Sequence, residues 1–311
     1  MSRKAWPKVF ASLQAICLGV AVSLASPALA EWLESRPVKD PDRPRNEIWM
    51  PLAGFVLPGF PQYFERQWTS AATYTAVGVT GLGLGIAATN QVDTSKAQND
   101  EVDEQDGPYR QYTYGLQLYM FAGEISAYHS FRTAAASRRS VGQYTFLPVE
   151  ENPKDLLLAP FEVEHLLRPT TYIPFLILLG VGISELHSGA SLNIDDVAFT
   201  GGVSYNAGVG EEAFFRGYMM PLFRERWDSP FWANFTSSVF FGAAHYSESN
   251  RFPVAQALIG YYLGWMTQRN DWSLRQSIFW HTWWDVIAIG LQVADKNARA
   301  VRPIPLFTVA F

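Results

Sequence analysis

Glu211, Glu212 and Arg216 stand together in the stretch GEEAFFRG, inside a region that otherwise reads as lipid-soluble helix. Further polar positions punctuate the apolar chain beyond it: His245, four residues after Phe241, and the pair His281 and Asp285. A charged side chain at bilayer depth costs roughly 2.5–3.5 kcal/mol on insertion scales, so such groups face a protein interior or a wet cavity and mark function. Glu212 with Arg216, Phe241 with His245 and His281 with Asp285 are each spaced i, i+4, which puts each pair on one helix face. On a helical reading, three helices offer an acid or imidazole cluster to a common interior. A carboxylate and an imidazole that share a water can draw its proton and make it nucleophilic. A second imidazole with a hydrogen-bonding neighbour can donate to the oxyanion formed when water attacks a carbonyl. Those are the parts needed to hydrolyse an amide.

The elements that must position them belong to an apolar, aromatic chain. Of 311 residues, only 17% are charged and 15% are aromatic, with 11 Trp, 14 Tyr and 21 Phe. That balance suits a membrane protein with aromatic belts. The mean hydropathy of −0.02 averages apolar spans with long charged loops. A net charge of −5 without any basic stripe argues against nucleic acid as a partner. At the N-terminus, Arg3, Lys4 and Lys8 precede the apolar run VFASLQAICLGVAVSLA, and SPALAE supplies an A-x-A site with its cut after Ala30. Residues 1–30 therefore read as a signal peptide or signal anchor, and removing them leaves a net charge of −8. The single Cys17 goes with them, so the mature product forms no disulfide.

Residues 31–49 are charged and proline-rich, and read as an extended exposed linker. Pro51, Pro58 and Pro61 break the next apolar stretch into a re-entrant or interfacial segment. Spans are expected at 69–89, 112–131 and 170–186, with four more apolar segments from Tyr205 to Val293. Some of these are short for a crossing, so tilted or buried helices are expected. Between the spans lie an acidic loop around 90–110, the basic stretch RTAAASRRS, an interfacial connection over 142–169 and the loop LNIDDVAFTGG. Basic loops favour the cytoplasm, which puts the acidic loop on the opposite side.

E-E-x-x-x-R at Glu211, Glu212 and Arg216, F-x-x-x-H at Phe241 and His245, and H-x-x-x-D at His281 and Asp285 resemble the CPBP family. This intramembrane protease group includes the CAAX prenyl endopeptidase and the bacterial Abi, or bacteriocin-immunity, proteins. Each motif alone is weak, but all three in this order on successive apolar segments make a strong signal. The resemblance covers about residues 170–292; residues 31–169 form an N-terminal region with about two spans, and 293–311 a tail. It implies an all-α, polytopic membrane helix bundle with a conical intramembrane cavity, in a bacterial inner membrane. It also implies that Glu211 and His245 activate the water, and that His281 and Asp285 form the oxyanion-stabilising unit. Glu212, Arg216 and Phe241 then support them. Asp285 stands where the prenyl-protein peptidases usually carry Asn. An ionised Asp offers no donor, so its expected role is to orient His281 as an acceptor, which points to the wider bacterial branch.

The expected activity is cleavage of a membrane-associated protein or peptide. The alternative is a non-catalytic scaffold, immunity or partner-binding protein that keeps the constellation. No cofactor is expected, because no HExxH pair stands in the chain. A catalytic zinc would take Glu211, His245 and His281 as a His₂Glu set. Glu212 with Arg216 also fits a structural ion pair, and His245 a helix-end histidine. Trp280, Trp283 and Trp284 read as belt or packing residues, and His129, His165 and His187 as surface or loop residues. Glu124 fits no motif.

Overall fold

The computed structural model describes residues 27–35, 46–92, 107–146, 148–186, 190–247 and 250–294. The basic and apolar N-terminal run, the centre of the proline-rich linker, most of the acidic loop, His187 and the C-terminal tail lie outside them. Every described element is a helix. In chain order these are α1 (Pro27–Leu33), α2 (Trp49–Val56), α3 (Phe60–Phe64), α4 (Trp68–Thr89), α5 (Gly107–Ser140) and α6 (Pro153–Leu158). After two 3₁₀ turns, Ala159–Phe161 and Val163–Leu167, come α7 (Pro169–Glu185) and α8 (Ile194–Glu211). A π-helical segment, Glu212–Met219, joins α8 to α9 (Met220–Trp227), and α10 (Pro230–Ala244), α11 (Val254–Arg269) and α12 (Arg275–Ala294) follow.

Small residues and prolines explain much of this layout. Pro58 and Pro61 bracket Gly59, which takes the left-handed φ of 89° open to glycine and turns α2 into α3. The expected broken segment is therefore two short helices. α4 and α5 form the most extensive helix pair. A Cβ on Gly81 would strike the backbone of Gly115 and Tyr119, so the missing side chains let the two backbones touch. α4 is the one described helix long and apolar enough to cross a membrane, and α7 is apolar but shorter. The span expected at 112–131 lies inside the longer α5, of mixed polarity.

Several expectations need correction. The stretch RTAAASRRS is the last part of α5, not a loop. Its Arg132 donates to the carbonyls of Pro148 and Val149, and Arg138 pairs with buried Glu47 at 2.8 Å. Arg226 holds the same Glu47 carboxylate, at 2.6 Å. The described ends of the linker are therefore packed: Glu47 is buried, as is Trp32, edge-on against Tyr74. LNIDDVAFTGG is also helical, because Asn193 and Asp196 form a reciprocal capping box that starts α8. His129 is buried with Nδ1 3.0 Å from the Tyr74 hydroxyl, and His165 is buried with Nε2 3.1 Å from Glu162. Neither is a surface residue: α4 brings His129 its partner, and the N-cap of its own 3₁₀ turn supplies that of His165.

Three aromatic-rich clusters make the core. Trp32, Tyr74, Tyr128, Val209, Leu274 and Ile278 join the N-terminal helices to α8 and α12. Phe131, Tyr144, Phe214, Phe215, Tyr218 and Phe241 join α5 to the π segment and α10. Phe175, Leu263, Met266, Phe279 and Trp280 join α7, α11 and α12. Trp280 is packed in this core and stacked on Trp284, so it belongs to the interior rather than to an aromatic belt.

Candidate active site

Glu211 ends α8 and Glu212 opens the π segment. A π turn widens the helix by one residue, a departure that recurs at functional sites. Here it carries Glu212 and Arg216 inward together, with Nη1 of Arg216 3.0 Å from Oε1 of Glu212. Both side chains are sealed from solvent, at 1% and 0% exposure. Arg216 also donates to the Gly260 carbonyl of α11 at 2.8 Å and lies 4.3 Å over the Phe241 ring. A buried guanidinium is tolerated only when its charge and its donors are met, and here an acid, a carbonyl and a ring face meet them.

His281 comes from the middle of α12. Its Nδ1 lies 2.9 Å from the same Glu212 oxygen, which fixes the ring, and Asp285 Oδ2 stands 3.5 Å from Nε2. α12 reaches α8 closely because Gly208 has no side chain: a Cβ there would collide with the backbone of Thr282. The N-terminus of α12 is held from outside the motifs. Glu151, in the connection before α6, accepts from the Ser273 hydroxyl at 2.6 Å and from the Leu274 N–H at 3.1 Å. Burial pushes the Glu151 carboxyl above its ordinary value, against the pull of those two donors.

His245 lies at the C-cap of α10, where its Nδ1 is 2.8 Å from the Phe241 carbonyl of its own last turn. A carbonyl only accepts, so Nδ1 carries a proton, and the neutral form of the ring has its lone pair on Nε2. The helix-end bond therefore sets the tautomer. The Phe241 ring packs 4.5 Å from the His245 ring and 5.8 Å from that of His281, a spacer between the two imidazoles.

The centre of the arrangement is Glu211. Its Oε2 lies 3.8 Å from His245 Nε2 and 3.9 Å from His281 Nε2. Both gaps exceed a direct hydrogen bond, which falls near 2.7–3.2 Å. The oxygen is itself buried with no hydrogen-bond partner. A polar site bounded by a carboxylate and two ring nitrogens, with one orphaned oxygen, is the setting in which a water is held. Glu211 and His245 keep 17% and 13% of their side chains exposed, so the opening lies on their side of the site.

The sequence-level residues thus meet: Glu211, His245, His281 and Asp285 share one space, and Glu212, Arg216 and Phe241 wall it. The zinc set fits less well. Among the described residues, the three whose ligand atoms all lie within 4.8 Å of one another are Glu162, Glu164 and His165, not Glu211, His245 and His281. Reading the sequence left Glu124 unassigned, facing the interior or near a helix end, and α5 buries it beside Gly210; it missed Glu151, which caps α12. No spacing rule links either to the three motifs.

One comparison with known proteins found a match. The family model described as type II CAAX prenyl endopeptidase Rce1-like matches residues 194–287, from the first residue of α8 to two residues past Asp285. No curated relative and no solved structure matches the chain. The segment that brings Glu211, His245, His281 and Asp285 together is a match to the Rce1-like family of type II CAAX prenyl endopeptidases, in keeping with the CPBP resemblance of its motifs.

Proposed function

We propose that this protein is a membrane-embedded endopeptidase that hydrolyses a peptide bond of a membrane-associated polypeptide with an activated water. The observation that carries this reading is the orphaned Oε2 of Glu211, held 3.8 and 3.9 Å from two imidazole nitrogens. A water seated there donates to Glu211 and to the lone pair on His245 Nε2, and its oxygen is freed to attack a carbonyl. The attack places negative charge on the carbonyl oxygen. His281 answers it, since both of its ring nitrogens face carboxylate oxygens and both are set as donors. Asp285 and Glu212 orient that ring, and Arg216 balances Glu212. The departing amine takes its proton from the Glu211–His245 pair, which returns the site to its starting state.

The lipid setting rests on α4 and on apolar faces turned outward. Val79, Leu82 and Ile86 on α4, Ile173, Leu176 and Ile177 on α7, and Phe231, Phe235 and Val239 on α10 are all exposed. Apolar surface of this extent needs a cover, and a multi-pass placement in the membrane provides one. The family name points to prenylated proteins as substrates. An Asp at 285, where that chemistry usually uses Asn, favours a broader substrate class. The test is a comparison of protein termini in membrane fractions from cells carrying the wild type or Glu211→Gln. New termini present only with the wild type are expected, and they name the substrate. Identical termini with both proteins folded and inserted would leave a scaffold.

A further inference from the structure

Three hydroxyls lie buried where α8 packs along α12. Thr200 is 4% exposed, Ser204 0% and Thr282 4%, and none of their oxygens has a hydrogen-bond partner. Hydroxyls on other helices of this protein behave differently. Thr73 and Thr80 on α4 and Ser238 on α10 donate to the carbonyl four residues back, at 2.9, 2.8 and 2.7 Å. That local bond is a common way for a helical Ser or Thr to satisfy its hydroxyl. We propose that the seam between α8 and α12 is a water-binding site, which supplies the reacting water to Glu211 from the end of the bundle where α8 begins. This inference rests on the hydrolase reading above.

Helix geometry lines these groups up. Asn193, Thr200, Ser204 and Glu211 follow one another at helical spacing and share one face of α8. Asn193, the N-cap, is exposed, so the stripe begins at solvent. Thr200 lies about 16 Å along the axis from Glu211. α12 runs the opposite way. Thr282 turns its Oγ1 to Gly208, and Thr200 faces Gly290, which sets Ser204 level with Asp285. Asp285 stands 3.5 Å from His281 Nε2, and that nitrogen lies 3.9 Å from Glu211. The hydroxyls thus lead to the reacting groups through Asp285. The two helices are tight at Gly208 and slack at Gly290, where a Cβ would meet no atom of α8 closer than Thr200 Cγ2, at 3.9 Å. The seam has room at that level.

A hydroxyl in an apolar wall must find a partner or carry its desolvation cost. Phe199, Val203, Ile289 and Val293 pack beside the seam, and their side chains offer no partner. A water bonds two to four polar groups at once, and three hydroxyls with the Asp285 carboxylate supply that number. The chemistry gives the site a task. Each peptide bond cleaved consumes one water, and the opening beside Glu211 and His245 is where a polypeptide enters. A chain lying in that opening closes it to solvent, so water must reach Glu211 from another side. The α8–α12 seam is that side.

The experiment uses the full-length protein in lipid vesicles and reads X-ray hydroxyl-radical oxidation, which marks side chains that lie beside ordered water. Ile289, beside the seam, is compared with Leu263 in the core between α7, α11 and α12; they are 2% and 0% exposed. In the wild type, Ile289 is expected to oxidise several-fold faster than Leu263. The double variant Thr200→Val with Ser204→Ala is expected to bring Ile289 down to the rate of Leu263. Equal rates in the wild type overturn the proposal, and so does a double variant that keeps the wild-type labelling. Ser204→Ala alone, which adds no bulk, serves if the double variant fails to insert. Protein termini in membrane fractions then test delivery. The double variant is expected to produce the wild-type termini several-fold more slowly, although neither residue touches the reacting groups. Cleavage at the wild-type rate through an unlabelled seam overturns the supply of water by this route. A labelled seam in a wild type that produces no termini sinks the hydrolase reading and leaves the water site. Termini from a wild type with an unlabelled seam sink the water site alone.

Discussion

At the scale of single residues, Glu211 and Glu212 are neighbours with opposite duties, and substitution should separate them. Glu211 touches no protein donor through Oε2, so Glu211→Gln breaks no hydrogen bond at that oxygen. It is expected to lower cleavage by about 10²–10⁴-fold, the usual worth of a general base, with thermal unfolding unchanged. Glu212 is the partner of both Arg216 and His281. Glu212→Gln leaves a guanidinium at 1% exposure without its acid, and breaking such a pair costs about 3–5 kcal/mol. A clear drop in melting temperature for Glu212→Gln, and none for Glu211→Gln, is the expected pattern; the reverse order would mean that the roles are exchanged. Much of this was legible in the sequence, because i, i+4 spacing in an apolar helix fixes which side chains share a face. The place of Glu124 against Gly210 and the role of Glu151 were not legible. Their distances to the site come from how α5 and the connection before α6 pack, and spacing along the chain carries no such information.

At the scale of elements, the helices themselves were readable and their ends were not. Period and apolarity pointed to α4, α7 and α10–α12, whereas the start of α8 hid in an Asn193–Asp196 capping box that read as a loop. The π segment was also invisible, since the same eight residues suit an α-helix until tertiary contacts draw Glu212 and Arg216 inward. Two predictions belong here. Gly208→Ala should push α12 away from α8 by setting a methyl against Thr282. Overpacking of that kind costs about 1–3 kcal/mol, and calorimetry together with loss of cleavage would report it; a stable, fully active variant would show that α12 does not need that approach. Glu151 gives a pH signature. Its carboxyl is raised in the fold, so the unfolded chain ionises first and the wild type loses stability as pH rises above about 4.3, the ordinary Glu value. Glu151→Gln removes that ionisation. Unfolding measured across this range should show the variant gaining on the wild type as pH rises, and parallel curves would refute the assignment. Glu151→Ala, which removes the cap of α12, should cost about 1 kcal/mol below that pH of about 4.3 and less as pH rises.

At the scale of the whole molecule, composition foretold an aromatic-rich membrane protein and the family resemblance an all-helical bundle, and every described element is a helix. It did not foretell how far the region before 170 takes part in the site. α5 packs against α8 and the π segment, Trp32 enters the same core cluster as Val209 and Ile278, and Glu47 ties α5 to α9. The family-matched segment is thus one part of a larger packed body. The apolar faces of α4, α7 and α10 should keep the protein in the membrane pellet through an alkaline carbonate wash, and release into the supernatant would contradict a multi-pass placement. The central claim is that three side chains from separate helices hold a single water. A high-resolution experimental structure of the wild type in lipid tests it most directly, through the density between Glu211, His245 and His281. The account predicts one solvent peak within about 2.6–3.2 Å of Glu211 Oε2 and both Nε2 atoms. A metal ion at that point, or ring nitrogens turned away from Glu211, would contradict it.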